Sequence, residues 1–471
     1  MPKIYHTDAL PTLIGPWEHL LVYNGFDCGV TYEVSDVLDA QLDPPARLLE
    51  HYSYALHAPA LVMMRRGIKI DLHKREELIV KYEDIYQRAV ELLQELGVES
   101  FGVNLMATRD VSRERLKWLL YEALRLPKQT TYDKATRELK ITVNREALEK
   151  LGAEYDIARP FIALVQALRD TLKKLQVLRT AIDSDGRMRC SYQVSGPYTG
   201  RWASNDSAFY TGTNLQNITD LMREMFVPDP GWKLGNADLK QAEAKCVAYL
   251  ANDEAYINAC LSGDIHTYVA RLCYPDLPWN GDLKHDRALA EQKFYRDFTR
   301  RDLSKRGAHA CNYYAKPFTV AKNLRISMPV AFEFHGSYFR AFPGIPSWHL
   351  AVQREVQSTR SIRTPSGRRI FFFGNPYQDD VIREAIAAGP QSLTGDILNV
   401  GLWRLWKHVE SVWPDRFQIL GQIHDAVLFQ YRPAREKWVI DQVREKMNIP
   451  VLTNGRTMTL DSDVSLGWNW R

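Results

Sequence analysis

Most of the motifs that assign a soluble protein at a glance are missing from this chain. It has no Gly-x-x-x-x-Gly-Lys phosphate loop, no Rossmann glycine fingerprint and no His-Glu-x-x-His. Its six cysteines (Cys28, Cys190, Cys246, Cys260, Cys273 and Cys311) form no Cys-x-x-Cys pair, and no histidine pair lies near them at zinc-ligand spacing. Reduced, mostly buried thiols in a cytosolic protein are therefore expected. No run of about 18 apolar residues occurs, so no membrane span is expected. The opening MPKIYHTDAL lacks a basic start followed by an apolar core, so no secretory signal is expected either. A strong charge of one sign is also absent. Lys plus Arg is 61 against 57 for Asp plus Glu, a net +4 that permits a nucleic-acid partner without demanding one. The 471 residues suggest two to four structural units rather than one core.

What is present is a chain of changing texture. Residues 74–98, KREELIVKYEDIYQRAVELLQELGV, set apolar residues at helical spacing among many charges and predict a long, exposed amphipathic helix. Residues 159–182 predict a second helix. Between them PKQTTYDKATRELK is polar and basic and reads as a mobile loop. Two long helices joined through a basic tip make either an arm over a polyanion or an ordinary solvated hairpin. From residue 187 Gly, Ser, Thr and Asn interleave with strand formers, which predicts strands and turns. A short strand leads into Asp238, and a helix follows through about residue 250. Residues 264–400 read as mostly helical, and strand-and-helix alternation returns from 418. The predicted sheet thus starts near 190, is split by a helical insertion and resumes near 418.

Residues 422–429 read QIHDAVLF. Adjacent strand residues face opposite sides, so His424 and Asp425 cannot both enter one core. A tight turn between two apolar runs accounts for them, and a turn held by strands can also present a functional acid. Asp238, at a strand-to-helix junction, is either a helix N-cap or a partner acid. Two carboxylates at the ends of adjacent strands can hold two divalent ions about 3.5–4 Å apart. Mg²⁺ suits such a pair, because it takes few carboxylates and keeps water and phosphate oxygens. In RRDLSKRGAHACNYY, Arg301, Lys305, His309 and Tyr313 recur every fourth residue and form one helical stripe. A triphosphate can lie along its cationic end, with base and sugar toward the aromatic end. A solvated basic face is the plainer alternative.

These residues carry a resemblance. DLKQAEAK (238–245) resembles motif A of the family A DNA polymerases, the class of bacterial DNA polymerase I and its phage relatives. RDLSKRGAHACNYY (301–314) is similar to that family's Arg-x-x-x-Lys-x-x-x-aromatic-x-x-x-Tyr motif B, and QIHDAVLF resembles motif C, usually His-Asp-Glu. TGRWAS (199–204) and NLQNI (214–218) resemble its primer-template-binding segments. REAIAAGPQSLTGDI (383–397) resembles its template-contacting helix. The motifs stand in order, and the similarity covers about residues 58–471.

The resemblance implies an α+β, right-hand polymerase fold with an antiparallel-sheet palm, helical fingers and a helical thumb. Residues 1–57 would be an N-terminal segment, 58–190 the thumb, 191–250 and 395–471 the two parts of the palm, and 251–394 the fingers. It implies template-directed extension of a primer 3′-hydroxyl with deoxynucleoside triphosphates. Asp238 and Asp425 would be catalytic ligands of two Mg²⁺ ions, with Mn²⁺ as a substitute. Lys305 would be catalytic as the proton donor to pyrophosphate. Arg301, Lys305, His309, Tyr313, Glu243 and Gln241 would bind the nucleotide, Glu243 by crowding the ribose 2′ position. Arg201, Asn214, Gln216, Arg383, Gln391 and His424 would contact primer-template DNA.

Four positions depart from the family pattern: Ala426 for the usual Glu of motif C, His309 for Phe or Tyr, Tyr314 for Gly, and Ala387 for Asn. They bear on sugar discrimination, the template pocket and fidelity, and none removes a residue that two-metal chemistry requires. Two other functions stand beside this one. Glu243 argues against a single-subunit RNA polymerase, and retention of Asp238, Asp425, Arg301 and Lys305 argues against a non-catalytic DNA-binding replication subunit. Near the N-terminus, YNGFDCGVTYEV resembles the last motif of the family's 3′–5′ exonuclease domain, with Tyr23 and Asp27 four apart on a helix. The earlier acidic motifs find no room. The expectation is an exonuclease remnant in a polypeptide that does not proofread alone, with a separate exonuclease chain completed by Asp27 and other replisome proteins as partners. Length and the unusual motif residues point to a phage source, hence to the cytoplasm of an infected bacterium.

Overall fold

Four strands from distant parts of the sequence form one antiparallel sheet in the computed structural model, which describes residues 16–133, 136–295 and 298–471. They are β1 (Lys233–Leu239), β2 (Phe417–Ile423), β3 (Ala426–Tyr431) and β4 (Ser462–Gly467), in the spatial order β2-β3-β1-β4. Only His424 and Asp425 join β2 to β3, so Ile423 stands opposite Ala426 in a tight hairpin. β3 sets Ala426 opposite Asp238 of β1, and β4 sets Asp463 opposite the same residue from the other edge. Directly opposed residues of an antiparallel pair share a face, so Ala426, Asp238 and Asp463 form a row across the sheet. All six residues of β3 are buried. This explains why AVLF reads as a continuous apolar run rather than an alternating one.

The helices that matter for the site are named in chain order. α1 (Pro16–Gln41) precedes α2 (Leu72–Phe101) and α3 (Arg159–Leu178). α4 (Ala242–Leu250) leaves the sheet after β1, and α5 (Arg300–Asn312), α6 (Met328–Ala341) and α7 (Asp379–Leu405) follow. α2 and α3 answer the two predicted long helices, with α3 ending at Leu178 rather than 182. Leu78, Tyr82, Ala89 and Leu93 of α2 are buried at helical spacing, and Val165, Leu168 and Leu175 of α3 likewise. Asp71 caps α2 by accepting from the Lys74 N–H, and Gly102 ends it at φ 63.

Two expectations about the sheet regions fail. The basic segment between α2 and α3 is no loop, because Thr130–Asp133 pairs with Glu138–Ile141 as an antiparallel hairpin. Nearly every residue of that hairpin is exposed, so no buried face imprinted an alternation on the sequence. The central sheet does not start near 190 either. Arg187–Met188 pairs with Ile68–Ile70, and Ser191–Gln193 with Ala203–Asn205, in two small separate sheets. The first strand of the central sheet is β1. The region from 264 to 400 is mostly helical as predicted, and α7 runs unbroken across the expected fingers–palm boundary at 394/395.

α5 is built to hold one face in and one face out. Thr299 and Asp302 form a reciprocal capping box at its start. Leu303, Ser304, Gly307, Ala308 and Cys311 are buried. α6 crosses so closely that a Cβ on Gly307 would lie 2.3 Å from the Phe334 ring. All six cysteines are free, five buried and Cys28 exposed. No helix among the described residues is long and apolar enough to cross a membrane.

Candidate active site

The His424-Asp425 turn is braced from below. His424 takes φ 54, in the left-handed region. Its carbonyl accepts from the Gln422 amide at 2.6 Å, and Gln422 accepts in turn from the Gln216 amide at 2.7 Å. The Leu239 N–H donates to the Asp425 carbonyl at 3.1 Å, which ties the turn to the end of β1, where Asp238 stands. Asp238 does not cap the following helix, because the N-cap of α4 is Gln241, at φ 49. The two carboxylates therefore meet at the ends of paired strands, as the motifs imply.

Their electrostatics follow from that meeting. Burial, then the Asp425 and Asp463 carboxylates, raises the Asp238 pKa above its ordinary value, with Arg223 opposing. Asp425 is also raised, by burial first, while Arg201 and His424 pull it down and Glu243 pushes it up. Acids that repel one another at a site edge are what a hard divalent ion relieves. Among the described residues no group of three or more His, Cys, Asp or Glu side chains can hold a metal unaided. The donor set is thus a carboxylate pair whose remaining ligands are water and phosphate oxygens, and this fits Mg²⁺. Asp463 escaped the sequence reading because only the β4 register reveals it. Its carboxylate is held by Lys240 at 2.5 Å.

Arg201 enters the same place. Its Nη2 donates to Glu243 Oε1 at 2.6 Å and to Asp425 Oδ1 at 3.3 Å. The other Glu243 oxygen accepts from the Tyr313 hydroxyl at 2.5 Å. Burial and the Glu243 carboxylate push the Tyr313 phenol far above its ordinary value. Arg201 Nε and Trp202 Nε1 are buried without a hydrogen-bond partner among the described residues. Arg201, Trp202, Gln216, Glu243, His424 and Asp425 line a cavity of about 270 Å³.

On α5 the predicted stripe holds, with Tyr313 as the C-cap rather than inside the helix. Lys305 and His309 are exposed. The His309 and Tyr313 rings meet edge to face at 4.8 Å. Arg301 is forked onto Asp264, at 3.2 Å from Nε and 3.1 Å from Nη2. His266 lies beside this pair, and its pKa is lowered to about 4 by burial and by the Arg301 and Lys305 cations, against Asp264. It is a neutral imidazole among cations. Sequence reasoning missed it, because Asp264 looks like a plain N-cap bonded to Thr267 and Arg301 comes 37 residues later. Glu243, His266, Lys305, His309, Tyr313 and Arg383 border a second cavity of about 650 Å³. Glu243 borders both cavities.

The remaining predicted residues divide. Asn214 accepts from the Ser204 hydroxyl at 2.5 Å and the Gln216 N–H at 3.0 Å, and Gln216 is buried, so both shape the floor under His424. Arg383 and Gln241 are exposed, and Gln391 and Ala387 are half-buried on α7. Tyr314 keeps φ 64 where the family usually has Gly, its ring edge-on to His349 at 5.4 Å and under Lys316 Nζ at 3.9 Å. Tyr23 and Asp27 are exposed on α1.

Comparison with known proteins agrees with this geometry. The sequence model described as DNA polymerase family A matches residues 75–471. DNA polymerase I of Mycobacterium bovis is 28% identical over 436 residues, which cover 88% of this chain and 44% of that protein. The thermostable DNA polymerase I of Thermus thermophilus is 25% identical over 433 residues, 87% of this chain and 46% of that one. The chain spans less than half the length of these curated relatives. Among solved structures, the POL domain of Pol1 from M. smegmatis, in complex with DNA primer-template and dNTP, matches with a TM-score of 0.77 at 24% identity, over 94% of this chain and 74% of that one. The fold is the right-hand polymerase fold, and the chain belongs to DNA polymerase family A.

Proposed function

We propose that this chain is a template-directed DNA polymerase that extends a primer 3′-hydroxyl with deoxynucleoside triphosphates by a two-metal-ion mechanism. One observation carries the reading: Asp238 and Asp425 converge from paired strands beside Glu243, which also borders the cavity lined by Lys305, His309 and Tyr313. The M. smegmatis neighbour, solved with primer-template and dNTP, supports DNA and nucleotide as the partners.

Two Mg²⁺ ions at Asp238 and Asp425, replaceable by Mn²⁺, supply the charge that activates the hydroxyl and stabilises the leaving oxygen. The chain's own residues do the rest. Lys305, with Arg301, takes the triphosphate, and Arg301 exchanges its fork on Asp264 for a phosphate fork of similar geometry. Neutral His266 adds an N–H donor without further positive charge. The exposed Lys305 ammonium holds the proton that the departing pyrophosphate takes up. Glu243, fixed by Tyr313 and Arg201, stands where a ribose 2′-hydroxyl would intrude. His424, on its braced turn, faces the primer end.

We place this activity in phage DNA replication in an infected bacterial cell, on the strength of the unusual residues His309, Tyr314, Ala387 and Ala426. Excision of mismatches falls to a separate exonuclease chain, a reading that rests on the Tyr23 and Asp27 motif. Incubation of the purified chain with a mismatched 3′ end, Mg²⁺ and no nucleotide tests that part, since rapid excision lost in Asp27→Ala contradicts it. The main reading is tested by a labelled primer-template, Mg²⁺ and one nucleotide at a time. Addition of only the complementary deoxynucleotide supports it, and no addition refutes it.

A further inference from the structure

α1 carries an apolar surface that belongs to none of the protein's cores. Leu20, Tyr23, Val30, Val34 and Val37 are 41–59% exposed. No residue of α1 takes part in any of the four buried clusters among the described residues. These five and Asp27 succeed one another by steps of three, four, three, four and three residues. That is the 3.5-residue spacing of a helix–helix seam, in which a single polar residue commonly sets register. The helix is about 39 Å long at 1.5 Å per residue, enough for a continuous seam of several turns. An exposed apolar stripe of that length marks an interaction surface rather than ordinary scatter.

Charge selects the partner. Residues 16–41 contain Glu18, Asp27, Glu33, Asp36 and Asp39 and no Lys or Arg, on a chain whose net charge is +4. Five acids on one helix repel DNA and anionic lipid surfaces. A second copy of the chain laid along α1 in either direction sets acids against acids. Asp27 lies inside the seam, so whatever buries that seam must bring a cation to it or leave a buried charge unpaired. We propose that α1 docks a separate protein through a helix whose apolar stripe is flanked by Lys and Arg, one of which pairs with Asp27. The proposal depends neither on the activity assigned above nor on what the partner does.

The test uses the full chain and two synthetic helical peptides of about four heptads. Both carry Leu and Ile along the seam, one with Lys and the other with Glu at the flanking positions, and the first with a Lys opposite Asp27. Fluorescence anisotropy should show the Lys peptide binding at least about tenfold more tightly than the Glu peptide, with the difference shrinking at high salt. Val30→Glu with Val34→Glu should abolish binding, and Asp27→Asn should weaken the Lys peptide alone, with primer extension unchanged in both variants. Equal binding of the two peptides, or none, overturns the proposal. So does self-association of the chain in sedimentation that the double variant abolishes, since the seam then serves a second copy. Amide exchange of α1 as slow as that of β3 in the chain alone overturns it too, because the helix is then already covered.

Discussion

The guanidinium of Arg201 stands 3.3 Å from the Asp425 carboxylate, with its Nη2 also donating to Glu243 at 2.6 Å. An ordinary side-chain cation thus sits where a divalent ion would neutralise the same acid. Arg201→Ala should therefore strengthen Mn²⁺ binding to the DNA-free protein about three- to tenfold, by removing the competing charge. Free Mn²⁺ measured by electron paramagnetic resonance reads this directly. The same variant should lose primer-extension rate, because the residue also fits the primer end. Unchanged Mn²⁺ affinity would show that Arg201 does not compete at Asp425.

The raised carboxylates make a stability prediction with a definite sign. Asp238 and Asp425 bind protons more readily in the folded than in the unfolded chain. Their favourable contribution is present below the ordinary carboxylate value of 3.8 and is lost as pH rises through their raised values. Asp238→Asn with Asp425→Asn should accordingly raise the melting temperature at neutral pH by a few degrees, and the gain should fade as pH falls toward 4. Melting curves in metal-free buffer across that range check it. A variant less stable than the parent at pH 7 would mean that the pair is favourably held.

Glu243 and Tyr313 share a 2.5 Å hydrogen bond at the meeting of the two cavities. Glu243→Ala should raise ribonucleotide incorporation relative to deoxynucleotide by about tenfold or more, since a carboxylate that crowds the 2′ position is removed. Tyr313→Phe keeps the ring but frees the carboxylate, and should show a smaller gain in the same direction. Single-nucleotide incorporation on one template measures both. No gain in either would move the sugar gate elsewhere, with His309 the next residue to change.

Arg66 and Glu410 join the helix His57–Arg66 to β2. Arg66 Nη2 lies 2.6 Å from Glu410 Oε1, and Glu410 Oε2 accepts from the Ile419 N–H at 2.9 Å. Glu410 is only 4% exposed. Arg66→Ala strands a buried carboxylate and should cost about 3–5 kcal/mol. Arg66→Met with Glu410→Gln should recover part of that. Urea unfolding gives the comparison, and a loss below about 1 kcal/mol for the single variant would contradict the buried-pair account.

Local patterns in the sequence carried far into this structure. The four-residue recurrence of Arg301, Lys305 and His309 needs only one helix to be read, and the two-residue turn at His424 and Asp425 needs only two apolar runs. α2 and α3 were legible because each buries one face against its neighbour. What stayed hidden depends on tertiary placement. Asp463 reaches Asp238 through the register of the last strand, His266 reaches Arg301 and Lys305 through helix packing, and Arg201 reaches Asp425 across 224 residues. The hairpin at 130–141 was missed for the opposite reason. Its strands bury nothing, so their pairing left no hydrophobic signature.

The central claim is that Asp238 and Asp425 hold the chemistry while other residues hold the DNA. Single-turnover extension of a pre-bound primer-template with Mg²⁺ and the correct deoxynucleotide tests it most directly. Primer-template affinity of each variant is measured alongside. Asp238→Ala and Asp425→Ala should each lower the rate by about a thousandfold or more with affinity changed less than about threefold, because a two-metal site without one shared ligand loses most of its charge stabilisation. A variant that extends at a rate near the parent's would contradict the assignment, whatever its affinity for DNA.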